Sequence, residues 1–170
     1  GRARDALAKL HSPILAERLA ADPDYLATPE TRVTAVLFFD VAGFTALAER
    51  VGAERARRFQ NALMDAVDDA ALPEGGETMA FLGDGAMLVF GLPEPAGDEA
   101  ARALRALSAL AAAHEAMLAR WRAHVDGPLG MRYGLNLGPV VVSRIGTARQ
   151  ATVTLTGDTI NVAARLMEIA

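Results

Sequence analysis

The stretch VTAVLFFDVAGFT, residues 33–45, decides the fold that we predict for this chain. It opens with an unbroken run of apolar and β-branched residues from Val33 to Phe39, which is typical of a strand buried on both faces. The run ends at Asp40, and Gly43 follows before a helical pattern begins at Thr45. The stretch therefore predicts a buried strand, a carboxylate at its end and a turn into a helix.

The rest of the chain alternates between helical and strand-like patterns. Upstream, we predict an amphipathic helix over residues 3–21 and a connector over residues 25–32. Downstream, the patterns first predict a helical region from Thr45 to Leu72 with a possible break at Gly52, and then strands over Thr78–Leu82 and Ala86–Phe90 joined by Gly83-Asp84-Gly85. A long helix follows from about Asp98 to His124, and after it come strands over Met131–Leu137 and Val140–Ile145 around Gly138-Pro139. The last predicted elements are a strand over Gln150–Leu155 and a helix from about Gly157-Asp158.

The order strand, helix, strand, strand, helix, strand is that of a ferredoxin-like βαββαβ core, here with further strands and a helix appended. We therefore predict an α+β fold. A right-handed crossover makes the first and second strands parallel and places the third antiparallel between them. The end of the first strand then lies beside the hairpin between the second and third. Asp40 and Asp84 are therefore predicted to be neighbours.

Length and composition predict one globular domain. The chain has 170 residues, of which 52% are apolar, enough for a sizeable core. We assign residues 1–32 to an N-terminal signalling helix and connector and residues 33–170 to the domain. The chain begins at Gly1 and stops within a helical pattern at Ala170. We therefore expect a piece of a longer protein, with the C-terminal part of the domain missing.

Several functional classes are disfavoured by composition. The net charge is −4 with both signs interspersed, which argues against a nucleic-acid partner or contact with an anionic membrane. No apolar stretch approaches the roughly 20 residues of a membrane span. The absence of cysteine excludes disulfides and thiolate metal sites and fits a cytoplasmic location.

Two neighbouring carboxylates would repel each other unless a cation neutralised them. A hard divalent ion such as Mg²⁺ or Mn²⁺ suits carboxylate oxygens. Beside Asp40, the small residues Ala42 and Gly43 precede a helix N-terminus, where backbone amides can bind phosphate. Metal and phosphate together indicate phosphoryl or nucleotidyl transfer, in which two metal ions can stabilise attacking and leaving oxygens.

The same residues also have ordinary structural explanations. An aspartate after a strand, or within a Gly-Asp-Gly hairpin, is more commonly a helix cap or a turn former. Polymerase palm domains and diguanylate cyclases share the predicted fold and the two carboxylates. Fold and carboxylates alone therefore leave the reaction open.

A third cluster lies in the last predicted helix. Asn161 and Arg165 are four residues apart, so they project from one helix face. Arginine suits a phosphate transition state and asparagine can hydrogen-bond a ribose oxygen. Taken alone, the pair fits a solvated helix face better.

Four segments, in this order, together resemble the class III adenylyl and guanylyl cyclases of the bacterial type. They are VTAVLFFDVAGFT at 33–45, FLGDGAMLVF at 81–90, MRYGLNLGPVVV at 131–142 and TVTLTGDTINVAARLME at 152–168. The resemblance runs from about residue 33 to the end. In addition, the segment from Ser12 to Leu19 looks like the signalling helix that follows a sensor module in many bacterial cyclases. The resemblance implies an upstream sensor domain as a partner.

The resemblance assigns roles by position. It implies that Asp40 and Asp84 bind two Mg²⁺ or Mn²⁺ ions, with the backbone carbonyl of Val41 completing one site. It implies triphosphate contacts from Arg132 and from the stretch Ala42, Gly43, Phe44 and Thr45. Thr154 matches the position that reads the base. Asn161 would position the ribose and Arg165 would stabilise the reacting phosphate. In the family, the aspartate pair and the Asn/Arg pair of one site come from opposite subunits, which implies a homodimer with two shared sites.

Two departures from the family pattern bear on the substrate. Ala80 stands where the family has an adenine-reading lysine or, in guanylyl cyclases, usually glutamate. The family's triphosphate-binding lysine lies in a later segment beyond residue 170. No histidine matches a catalytic position, and His114 is predicted to serve packing or the surface. ATP is the expected substrate, with GTP or a catalytically weak regulatory dimerisation module as the alternatives and a palm-type polymerase as a distant third.

Overall fold

A computed structural model describes residues 13–147 and 150–170. Most of the predicted helix over residues 3–21 therefore lies outside the described residues. The described elements are helices α1 (Pro13–Ala21), α2 (Phe44–Val51), α3 (Ala53–Ala70), α4 (Glu99–Trp121) and α5 (Asp158–Glu168), and strands β1 (Glu30–Ala42), β2 (Gly76–Phe81), β3 (Gly85–Phe90), β4 (Gly130–Thr147) and β5 (Gln150–Thr156). Short 3₁₀ turns follow α3 and α4. None of the helices in the described ranges has the length and apolarity to cross a membrane.

The strands form one sheet in the order β2-β3-β1-β4-β5. Each hydrogen-bonded neighbour is antiparallel. Since β3 lies antiparallel between β1 and β2, the first and second strands run parallel, as predicted. The α+β fold with a ferredoxin-like core is confirmed. β5 and α5 are the appended elements.

Helices cover both faces of the sheet. On one face, α1 and α5 pack through Leu15, Ala163 and Met167 against the β1 side chains Val36 and Phe38. On the other face, α3 and α4 cover the alternate β1 residues, Ala35, Leu37 and Phe39, and α2 joins the adjoining cluster around Phe59. The strand buried on both faces, predicted from its apolar run, is therefore confirmed.

α5 lies unusually close to β4. A Cβ added at Gly134 would lie 2.1 Å from the carbonyl oxygen of Ala163 and 2.4 Å from the amide nitrogen of Met167. At the other end of the helix, Thr159 donates a 2.7 Å hydrogen bond to the carbonyl of Pro139. α5 therefore runs along β4 in the reverse direction and places Glu168 near Arg132.

Two predicted boundaries were wrong. β1 starts at Glu30 and continues past Asp40 to Ala42, because β4 pairs with it over its whole length. The predicted connector is correspondingly shorter. The two predicted strands around Gly138-Pro139 are one strand, β4. β4 continues through Pro139, whose nitrogen has no hydrogen to donate and whose carbonyl accepts a hydrogen bond from the Thr159 hydroxyl.

The helical predictions held more closely. The break at Gly52 separates α2 from α3, and α4 ends at Trp121 with a 3₁₀ turn reaching His124. His114 is fully buried and bonded to Tyr133 and to the Leu63 carbonyl, so its predicted packing role is confirmed.

Candidate active site

The two predicted metal-binding aspartates meet at one edge of the sheet. Asp40, on β1, is paired with Gly85 of β3 on one side and with Arg132 of β4 on the other. Asp84 immediately precedes Gly85 in the β2–β3 hairpin, where its amide donates a 3.0 Å hydrogen bond to the Leu82 carbonyl. The convergence inferred from topology is therefore present, although Asp40 lies within its strand and not at the end.

The electrostatics of the pair reflect this proximity. Burial, and secondly the negative charge of Asp40, raise the pKa of the Asp84 carboxyl above its usual value. The backbone hydrogen bond at Asp84 and the charge of Arg132 act in the opposite direction but do not cancel the rise. Asp84 is thus a carboxylate whose ionised form lacks a sufficient counter-charge among the described residues.

Arg132 supplies its positive charge chiefly to Asp40. Its Nε donates to Asp40 Oδ1 at 2.7 Å and its Nη2 donates to Oδ2, a two-pronged pair. The arginine side chain is 33% exposed and the aspartate side chain 13% exposed. A third nitrogen, Nη1, lies 3.4 Å from the Glu168 carbonyl at the end of α5. Arg132, which was predicted to contact the triphosphate, therefore forms an ion pair with the Asp40 carboxylate in this structure.

The turn after β1 leads directly into the N-terminus of α2, with one difference from expectation. Gly43 precedes α2 with φ of +91°, and a Cβ there would lie 2.1 Å from the Pro128 carbonyl oxygen. The missing side chain is therefore required by this neighbouring segment, independently of any phosphate. The Phe44 ring stacks on Phe59 at 5.6 Å, so this residue can offer a ligand only its backbone, whereas Thr45 is exposed.

Asn161 and Arg165 lie on the exposed face of α5. The opposite face of the helix is buried against the sheet through Ile160, Ala163, Ala164 and Met167. Arg165 lies 3.9 Å from Asp158 of its own helix. The two predicted catalytic residues therefore share one face, as their spacing implies, and that face points away from the sheet that carries Asp40.

The two predicted base-reading positions are both buried. Thr154, on β5, is 8% exposed, and its hydroxyl has no hydrogen-bond partner among the described residues. Ala80, on β2, is 2% exposed and belongs to an apolar cluster with Met79. Met79 is accommodated by an irregularity in the β2–β3 pairing, which lets both neighbours face this cluster. The surroundings of Ala80 within the chain are thus apolar.

Comparison with known proteins identifies the family. The family described as "Adenylate and Guanylate cyclase catalytic domain" matches residues 26–170. The chain belongs to this family. Among curated relatives, an adenylate cyclase of Mycobacterium tuberculosis (strain ATCC 25618 / H37Rv) is 30% identical over 165 residues, covering 97% of this chain and 36% of the relative. Adenylate cyclase 2 of Rhizobium meliloti is 32% identical over 130 residues, covering 76% of this chain and 35% of that protein.

Solved structures agree with this assignment. The adenylyl cyclase CyaB from P. aeruginosa has a TM-score of 0.75 at 30% identity, with 84% of this chain and 74% of that chain covered. The guanylyl cyclase Cya2 has a TM-score of 0.72 at 27% identity, covering 82% and 71%. The sequence-based recognition of a class III cyclase domain, and of its cyclase-type lyase class, is confirmed. The cyclase domain spans about a third of the length of these curated relatives.

The donor atoms of the cyclase site suit an oxygen-preferring divalent ion. Within residues 13–147 and 150–170, no group of three or more His, Cys, Asp or Glu side chains is positioned to hold a metal. A metal ion held by two aspartates would keep coordination positions for substrate and water oxygens, as Mg²⁺ usually requires. The Val41 side chain is 3% exposed and packs in the core, so only its backbone carbonyl could contribute.

One residue at this site was not predicted from the sequence. Gln60, on α3, donates from Nε2 to the Gly83 carbonyl at 2.8 Å and so ties the Asp84 hairpin to the helix. An isolated glutamine in a helical pattern carries no functional signal. Its role follows only from the packing of α3 behind the hairpin.

Proposed function

We propose that this cyclase domain converts a nucleoside triphosphate, with ATP as the expected substrate, into its 3′,5′-cyclic monophosphate and pyrophosphate. The observation that carries the proposal is the side-by-side placement of Asp40 and Asp84 at the edge where the β1–α2 turn presents helix amides. Family membership supplies the reaction class. The pair supplies the place where the triphosphate would be held.

Two Mg²⁺ or Mn²⁺ ions are the cofactors that this site implies. Bound there, they would neutralise the triphosphate and stabilise the attacking ribose oxygen and the leaving phosphate. Asp40, Asp84 and the Val41 carbonyl would hold them. The raised pKa of Asp84 supports this assignment, since it indicates negative charge that the described residues leave under-compensated.

The phosphates would be held by the backbone from Ala42 to Thr45 and by Arg132. Amides at the start of α2 carry the positive end of the helix dipole and would donate to an anion placed at this turn. Arg132 would add a planar, charged donor pair suited to phosphate oxygens. It would have to leave Asp40 to do so.

The catalytic pair would come from a second copy of the chain. Asn161 and Arg165 are exposed on the face of α5 turned away from their own sheet, which supports action on the site of a partner. Asn161 would orient the ribose, and Arg165 would stabilise charge on the reacting phosphate. Each homodimer would then have two shared sites.

Base selection is the least constrained part of the site. The buried hydroxyl of Thr154, which has no hydrogen-bond partner in the part of the chain that the structure describes, is a suitable donor or acceptor for a purine edge. Ala80 offers neither, and a site without a polar group to be left unpaired discriminates weakly. This observation favours a second candidate, a nucleotide-binding dimerisation module with little turnover.

One experiment separates these functions. The domain is incubated with Mn²⁺ and each of the common nucleoside triphosphates, and products are identified by mass spectrometry. We expect a cyclic monophosphate, formed from ATP with modest preference over GTP. Nucleotide binding without any cyclic product would instead identify the regulatory module.

A further inference from the structure

The ion pair between Arg132 and Asp40 is built into the sheet. The two residues face each other across the β1–β4 ladder, so their backbones hold the side chains together. Both carboxylate oxygens of Asp40 accept from the same guanidinium. A fork of this kind is the strongest and most directional arrangement open to arginine and a carboxylate.

Burial makes the pair more than a surface contact. The Asp40 side chain is 13% exposed, and the guanidinium also reaches the Glu168 carbonyl at the C-terminal end of α5. That end of a helix carries partial negative charge and attracts cations. Arg132 is therefore held by two acceptors on two elements, of which Asp40 is the closer.

A divalent ion and Arg132 would compete for the same carboxylate oxygens of Asp40. The cluster of Asp40, Asp84 and Arg132 has a net charge of −1. A divalent ion needs carboxylate oxygens, and both oxygens of Asp40 already accept hydrogen bonds from Arg132. Among the described residues, no cationic side chain forms an ion pair with Asp84, in contrast to Asp40. An incoming ion would therefore meet one available carboxylate and one that is occupied.

We propose that Arg132 is a built-in counter-cation that occupies Asp40 in the ligand-free domain and exchanges that carboxylate for substrate phosphate. The proposal rests on the proposed metal-binding role of Asp40. Before nucleotide arrives, the arginine competes with metal for the carboxylate. Triphosphate oxygens then offer the guanidinium an alternative acceptor, so nucleotide binding opens Asp40 to metal. By linkage, metal binding at Asp40 raises nucleotide affinity by the same factor.

The test measures Mn²⁺ binding without nucleotide, by electron paramagnetic resonance. If the ion pair leaves Asp40 open for a third to a tenth of the time, apparent affinity is reduced by about 3- to 10-fold. Arg132→Gln should therefore bind Mn²⁺ about 3- to 10-fold more tightly than the unmodified chain. Arg132→Lys keeps the charge but loses the fork, so we expect a smaller gain. Arg144→Gln removes the same charge from the same strand and should change affinity less than twofold.

A second readout does not depend on the variants folding equally well. In the unmodified domain, nitrogen-15 NMR of arginine Nε–H groups should show the Arg132 signal shifting when Mg²⁺ is added, because its bond to Asp40 is lost. An Arg132 signal unaffected by saturating Mg²⁺ would overturn the proposal. So would Mn²⁺ affinity in Arg132→Gln that is no higher than in the unmodified chain or only as high as in Arg144→Gln. Equal Mn²⁺ binding by the unmodified chain and Asp40→Asn would instead contradict the metal site itself.

Discussion

Asp84 is the residue at which charge, burial and proposed chemistry meet most directly. Asp84→Asn keeps the shape of the side chain but removes the charge that a divalent ion requires. We expect loss of Mn²⁺-dependent cyclic nucleotide formation by at least about 100-fold, the scale of losing one preorganised electrostatic group. The measurement is initial rate at saturating ATP.

The fold should survive this change, because the negative charge of Asp84 is poorly compensated in the ligand-free domain and therefore does not stabilise the folded state. Asp69→Asn, on the exposed face of α3, is the matched control and should retain full activity. Retention of more than half the activity in Asp84→Asn would remove Asp84 from the metal site.

His114 gives a prediction about how the free energy of unfolding depends on pH, and this prediction does not involve the active site. Burial lowers the pKa of its imidazole below the usual value, and the bond to the Leu63 carbonyl opposes the shift without reversing it. The neutral form is therefore favoured in the folded state. The contribution of neutral His114 to the free energy of unfolding is complete above the pKa of histidine in the unfolded chain, about 6.5, and is lost as the pH falls below that value.

We therefore expect the free energy of unfolding to decrease between pH 7 and pH 5, as measured by urea titration. His114→Gln cannot titrate, so its curve should be flatter over this range even though its overall stability is lower. Parallel curves for the two proteins would show that other groups cause the decline.

At the scale of elements, α5 is held in place by its contact with Gly134. Gly134→Ala would put a methyl group 2.1 Å from the Ala163 carbonyl, so backbone must move. Overpacking of this kind costs about 1–3 kcal/mol, or a fall in Tm of roughly 2–12 °C for a domain of this size. Gly130→Ala, on the same strand, meets nothing within 4 Å and is the matched control. Equal melting temperatures by calorimetry would contradict the close approach.

The hairpin carrying Asp84 is held by α3. Gln60→Leu removes the hydrogen bond to the Gly83 carbonyl while leaving the packing volume similar. We expect the Mn²⁺ concentration needed for half-maximal rate to rise about 3- to 10-fold, the value of one hydrogen bond. The maximal rate at saturating Mn²⁺ should be nearly unchanged, since metal binding restores the hairpin. Asn61→Leu, at the neighbouring position, serves as the control. A loss confined to the maximal rate of Gln60→Leu would indicate a different role for Gln60.

The elements also show what sequence could and could not predict. Apolar runs and the handedness of the crossover were sufficient to place Asp40 beside Asp84, because strand order follows from few rules. They could not place the end of β1 or the continuity of β4 through Pro139. The end of β1 and the continuity of β4 both depend on how far these two strands pair with each other, and the pairing residues are distant in sequence. The bonds of Arg132 and Gln60 were unpredictable for the same reason.

At the scale of the whole molecule, the N-terminal connector is fastened to the cyclase domain. Arg32 is 8% exposed, donates to the Tyr25 hydroxyl at 3.1 Å and to Glu30 at 2.6 Å, and also bonds to the Pro93 carbonyl. Tyr25 donates to the same carbonyl at 2.6 Å. The connector between α1 and β1 is therefore bonded to the segment between β3 and α4.

The proposed homodimer makes a prediction that no single-chain site can satisfy. Asp84→Asn and Arg165→Ala homodimers should each be nearly inactive, because every shared site lacks either a metal ligand or the transition-state arginine. In a heterodimer of the two variants, one site contains both defects and the other contains none. With complete exchange of equal amounts, half of the dimers are heterodimers, so activity should return to about a quarter of the unmodified level.

The rate is measured after exchange has been verified by native mass spectrometry of differently tagged chains. Recovery would explain why Asn161 and Arg165 face away from their own sheet. Verified heterodimers that remain inactive would mean that each site is assembled within one chain.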